Sequence, residues 1–181
     1  MQMKEYDKAI ETYKIALSIA DSLDVETLSD LKGGMGDVYQ AMGDTASAFA
    51  LYEEAIKLNP GNVGIMNNYA YFLSLEGKDL DKAERMAAIA VKAYPKSATY
   101  LDTYAWVYFK KKDYQLALLY IKSAIDNDDT HSADVLDHYG DILFMTGEPE
   151  KALEQWEKAL EKAPDNELIQ KKVKFKTIFM E

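Results

Sequence analysis

The chain has 181 residues, 48% of them apolar and 29% charged, a balance that belongs to folded rather than disordered chains. Its 31 acidic side chains against 21 basic ones give a formal net charge of -10. That argues against nucleic acid as a partner, because counterion release requires a basic face. Cysteine is absent, which excludes disulfides, thiolate metal sites and cysteine nucleophiles, and no run of about 18 apolar residues offers direct membrane insertion.

The opening segment, MQMKEYDKAIETYK, is charged and amphipathic, unlike a secretory signal. Ala9, Tyr13 and Ala16 follow at helical spacing. Farther on, GDTASAFALYEEAIKLNP, ending at Pro60, aligns with GEPEKALEQWEKALEKAP, ending at Pro164. Gly43 matches Gly147, Ala48 matches Ala152, Tyr52 matches Trp156, Ala55 matches Ala159, and upstream Gly36 matches Gly140. Two weaker copies lie between. Ala83, Ala90 and Pro95 keep the register in one, with an inserted residue after Gly77. Ala105, Tyr108, Ala117, Ile121 and Ala124 keep it in the other, where Asp129 replaces the proline. Successive copies are 34 to 35 residues apart.

Small residues at Gly36, Ala70, Ala105 and Gly140 let paired helices approach, and Tyr39, Leu73, Tyr108 and Leu143 fill the gap between neighbouring pairs. No pair buries its apolar face alone, so stacking supplies the core. Where it is kept, at Pro60, Pro95 and Pro164, proline stops the second helix. Beyond the last copy, NELIQKKVKFKTIF predicts a further helix. Leu168, Ile169, Val173 and Phe175 are its covering face, and Lys171, Lys172, Lys174 and Lys176 are expected to face water.

Met35-Gly36-Asp37-Val38-Tyr39 and Tyr139-Gly140-Asp141-Ile142-Leu143, followed by Ala48 to Tyr52 and Ala152 to Trp156, resemble the tetratricopeptide (TPR) signature, which has a period of about 34 residues. The large residue that opens that signature is replaced by Lys32, Met66, Leu101 and Leu136. The resemblance implies an all-α fold, an α-α superhelix or TPR solenoid of helical hairpins with a C-terminal capping helix. Expected boundaries are an incomplete or variant repeat over 1–28, repeats over 29–62, 63–97, 98–132 and 133–165, and the cap over 166–181. Ala9 to Ala16 match a second helix with no first helix before it. The chain is accordingly expected to be the C-terminal part of a longer bacterial TPR protein, with cytoplasmic and periplasmic placements both open.

Three local patterns bear on catalysis or metal binding. Lys32-Gly33-Gly34-Met35-Gly36 superficially resembles a phosphate-cradling loop, but it sits inside a predicted helix rather than between strand and helix. Gly33 and Gly34 are expected to loosen that helix, at about 1 kcal/mol each relative to alanine. Asp126-Asn127-Asp128-Asp129 lacks the glycine and glutamate of a calcium loop and reads as a turn before a helix capped by Ser132 or Thr130. Asp134, His138 and Asp141 share one helical stripe, with His131 and Asp137 near, and form a weak metal candidate. A solvated acidic face is the favoured explanation, because such metal sites need ligands from a second element. No catalytic triad is legible, and neither a cofactor nor an enzyme activity is expected.

In the family the first helices of successive repeats line a ligand groove. Carried over, that stripe places Asn67, Asn68 and Tyr71 in one repeat, and Asp102, Trp106, Phe109 and Lys110 in the next. Asp137, Asp141 and Phe144 follow in the last. Exposed aromatic anchors and carboxylates favour a protein or peptide ligand that bears lysine or arginine and offers apolar groups. Lys110 is the sole basic groove position, so a clamp for a C-terminal carboxylate is not expected. The resulting expectation is an interaction scaffold or adaptor. Self-association of the solenoid ends into a homodimer is the alternative, and a metal-binding or enzyme-accessory module ranks last.

Overall fold

Helices in this chain begin where a short polar side chain can hold free amide donors. Asp24, Asp44, Asp113, Ser132 and Asn166 each accept a backbone N–H from two or three residues ahead, at 2.8 to 3.2 Å. The computed structural model describes residues 2–19, 24–127 and 132–179. They form α1 (Gln2–Ser18), α2 (Val25–Ala41), α3 (Thr45–Leu58), α4 (Val63–Leu75), α5 (Leu80–Ala93), α6 (Ala98–Lys110), α7 (Tyr114–Asp126), α8 (Ala133–Met145), α9 (Pro149–Lys162) and α10 (Glu167–Phe175). No strand occurs among the described residues. Asp128, Asp129, Thr130 and His131 lie outside them, as do residues 20–23 of the expected long link after α1; of the two expected caps for α8, Ser132 is the one observed.

The turns between paired helices use the left-handed region. Gly43, Gly77 and Gly147 hold it at φ 80°, 63° and 87°. Lys112 takes the corresponding place in the third copy, at φ 65°.

The chain divides into two compact units, residues 1–69 and 70–181, with the boundary inside α4. In the first unit α2 packs on α3 around Ala48, Tyr52 and Ala55, all fully buried. Gly36 is small for a physical reason, since a Cβ there would lie 2.8 Å from the Tyr52 ring. The Tyr52 hydroxyl donates to Asp37 at 2.6 Å, and Ser29 donates to the Ala55 carbonyl at 2.9 Å. α2 runs without a break through Gly33 and Gly34. Ile65 occupies the space beside one and the Tyr13 hydroxyl the space beside the other, so both glycines serve close packing. Lys32 pairs with Glu54 at 2.6 Å.

The second unit repeats this design. A Cβ at Gly140 would collide with the indole of Trp156, which is fully buried and donates from Nε1 to Asp141 at 3.0 Å. One core cluster there gathers Leu101, Ala105, Trp106, Phe109, Ile121 and Ile142. Ile169 of α10 joins Leu136 and Ala159 in a second cluster. On that same face lies Lys172, only 1% exposed, so the expectation that it faces water is overturned. Lys172 stands three residues after Ile169, and the helical period turns it inward with Ile169 and Val173. Lys171, Lys174 and Lys176 are exposed.

Candidate functional site: an acid-rimmed cavity in the second unit

α6 and α8 carry the central side chains at helical intervals. Asp102, Trp106 and Lys110 follow one another by four on α6, and Asp134, His138 and Asp141 by four and three on α8. His138 Nδ1 lies 2.9 and 3.1 Å from the two Asp102 oxygens, and both residues are buried. The imidazole stacks on Trp106 at 3.9 Å and 18°, and Trp106 stacks in turn on Phe109 at 4.6 Å and 6°. Tyr71 lies beside this column, 6.1 Å from His138, and the Lys110 ammonium sits 5.7 Å from the Trp106 ring centroid.

Next to the column is an ionic cluster. Lys172 donates to both Asp137 oxygens at 2.8 Å and to Asp141 at 2.8 Å, while Trp156 holds the other Asp141 oxygen. Burial pushes the Asp141 carboxyl up to about 6 against the pull of Lys172, and the Asp137 charge adds to the rise. For His138, burial disfavours the imidazolium, but the charge and hydrogen bond of Asp102 outweigh it, helped by Asp137 and Asp141. His138 therefore titrates above the ordinary histidine range. The Tyr71 hydroxyl is held far above its ordinary range by burial and by the charges of Asp102, Asp134 and Asp137.

Between these groups lies a cavity of about 440 Å³. Tyr71, Trp106, Leu168 and Phe179 wall it, Glu76, Asp134 and Asp137 rim it, and Lys110 and Lys172 supply its positive charge. The buried Trp106 Nε1–H faces no acceptor.

This geometry rearranges the expected groove. Trp106 is 8% exposed and Phe109 2%, so neither is the solvent-facing anchor expected from the sequence. Their rings are spent on one another and on His138. Asp102, Asp137 and Asp141 are likewise engaged, with His138 and Lys172. Phe144 is half-buried with its ring 5.8 Å from Trp156. Asn67 and Asn68 belong to the first unit: Asn68 donates to Asp37 at 3.2 Å, and buried Asn67 leaves its Oδ1 unpaired. The metal candidate does not assemble, because His138 and Asp141 are tied to Asp102, Trp156 and Lys172. Among the described residues no group of three such ligands converges.

Lys172, Leu168, Phe179 and Glu76 were missed by the stripe. The signal for Lys172 is a spacing: it follows Asp141 by 31 residues, as Asn68 follows Asp37. In both places a side chain two helices further on donates backwards to the Gly-Asp aspartate.

Family models described as tetratricopeptide repeat match residues 1–60, 39–107 and 133–166. No curated protein sequence matches significantly. Among solved structures, a thermophilic TPR protein of Thermus thermophilus is similar over 97% of this chain and 92% of its own, at 17% identity and a TM-score of 0.75. MamA from residue 41 onwards, from Desulfovibrio magneticus RS-1, is similar over 92% and 90%, at 17% and 0.69. YrrB, described as a TPR protein with an unusual peptide-binding site, is similar over 92% and 82%, at 16% and 0.64. These likenesses speak for the fold. The repeated Gly-Asp hairpins, the left-handed turns and the matched models together place this chain in the tetratricopeptide repeat family, as an all-α solenoid of the kind that serves as a protein-interaction scaffold.

Proposed function

We propose that the chain holds a peptide segment of a partner protein, and that the cavity walled by Tyr71, Trp106 and Leu168 takes one of its side chains. The acid rim carries this reading: Glu76, Asp134 and Asp137 stand around an aromatic-walled space of about 440 Å³, with the size and mixed lining of a binding pocket. Such a space suits the stem of a lysine or arginine, whose apolar methylenes lie along rings while its charge reaches the rim. YrrB, similar in fold and described as having an unusual peptide-binding site, lends support to this reading. The reading requires no catalytic group and no cofactor.

A peptide array tests it. Glu76 and Asp134 are exposed, so Glu76→Lys/Asp134→Lys reverses the rim without touching the core. Lysine- and arginine-bearing peptides are expected to bind wild type and to lose about tenfold or more in the variant. Equal binding to both proteins would exclude the cavity as the working site.

One observation favours a second reading. Met3 and Ile15 of α1 are 56% and 62% exposed, large apolar groups suited to contact with another copy of the chain. Sedimentation across a concentration series, with Ile15→Asp as control, distinguishes this from peptide capture. A mass that stays monomeric throughout removes it.

A further inference from the structure

After α10 the chain reverses. Lys176 takes φ 52° and ψ 39°, a left-handed conformation that a lysine rarely adopts. The reversal directs residues 177–179 back onto the second unit. Ile178 packs against the cluster that holds Trp106 and Phe109, and also against the one that holds Leu143 and Trp156. Phe179 forms part of the cavity wall, with its ring 5.9 Å from that of Phe175. The strained turn is held in place by two apolar side chains, because the segment it leads into is neither helix nor strand.

We infer that residues 177–179 are an occupant of the binding face supplied by the chain itself, and that the partner segment which displaces them has their chemistry: a β-branched aliphatic followed by an aromatic, preceded by lysines. This rests on the cavity reading above and specifies its ligand. Lys174 and Lys176 precede Ile178 and Phe179 in the chain, so the segment carries the cations and apolar groups that an acid rim and an aromatic wall would favour. An occupant without secondary structure, held by side chains alone, opens at low local cost. Tethering gives it an effective concentration on the order of millimolar, so only a partner of higher intrinsic affinity replaces it.

The test is to add a synthetic peptide of residues 174–179, KFKTIF, to wild type and to Ile178→Asp/Phe179→Ala. Binding is measured by calorimetry and the uncovering of the face by acrylamide quenching. Both tryptophans stand in clusters that Ile178 covers, so a change in quenching reports the uncovering of that face. The variant is expected to quench more than wild type, the added peptide to reverse that, and the peptide to bind the variant about tenfold or more tighter than wild type. If the double variant melts early, Phe179→Ala alone serves. Unchanged quenching, or equal peptide binding to both proteins, overturns the inference. Array peptides that bind both proteins equally and fail on the Asp134→Lys rim also overturn it while leaving the cavity reading in place. The absence of any array hit, with no KFKTIF binding to either protein, overturns the cavity reading and this inference together.

Discussion

Lys172 of α10 places its ammonium 2.8 Å from the Asp141 carboxylate of α8, and Asn68 places its amide 3.2 Å from Asp37 across the same interval of 31 residues. Both aspartates also receive an aromatic donor fifteen residues ahead, Trp156 in one case and Tyr52 in the other. A Gly-Asp pair thus organises one inter-helix joint twice, with a neutral donor in the first unit and a charged one in the second.

The charged version makes Lys172 a point of failure. Lys172→Met leaves Asp137 and Asp141 without their cation in a buried setting, and should cost about 3–5 kcal/mol in urea unfolding. A loss below about 1 kcal/mol would mean that water replaces the ammonium, as at a surface pair.

Asp141 also sets a pH dependence. Its folded value of about 6 lies above the ordinary carboxyl value of 3.8, so the folded state holds that proton more tightly than the unfolded one. The resulting stability is present below 3.8 and is lost as pH rises through 6, by about 2–3 kcal/mol in full. His138, raised by Asp102, acts in the same direction above the ordinary histidine value. Between pH 4 and 7 the wild-type unfolding free energy should fall more steeply than that of Asp141→Asn. Parallel slopes would remove Asp141 as the cause.

Glycines that look alike in the sequence should differ in tolerance. Gly140→Ala drives a methyl into the Trp156 indole and the Ala152 carbonyl, and should cost about 1–3 kcal/mol. Gly34→Ala meets only the hydroxyl end of Tyr13, and helix propensity returns up to about 1 kcal/mol, so its melting temperature should stay near wild type. Comparable losses at both sites would contradict the packing account.

Lys112 offers a gain. It holds the left-handed turn position that glycine holds at 43, 77 and 147, and Lys112→Gly should stabilise the chain by about 0.5–1 kcal/mol. A lowered melting temperature would show that the lysine side chain contributes more than the strain removes.

The periodicity of the sequence determined the helices, their caps and their pairing, because these depend on local spacing: small residues at Gly36 and Gly140, acceptors at Asp44 and Ser132, glycines in the turns. It also placed Asp102, Trp106 and Asp137 on inward stripes. Whether those groups meet solvent or each other was decided only by the tertiary structure. Each has a partner about 35 residues away, His138 for Asp102 and Trp106, Lys172 for Asp137, brought near by the stacking of hairpins. Lys172 shows the limit most clearly. Charge alone assigns a lysine to water, and only a pair of carboxylates assembled on the neighbouring helix makes its burial favourable.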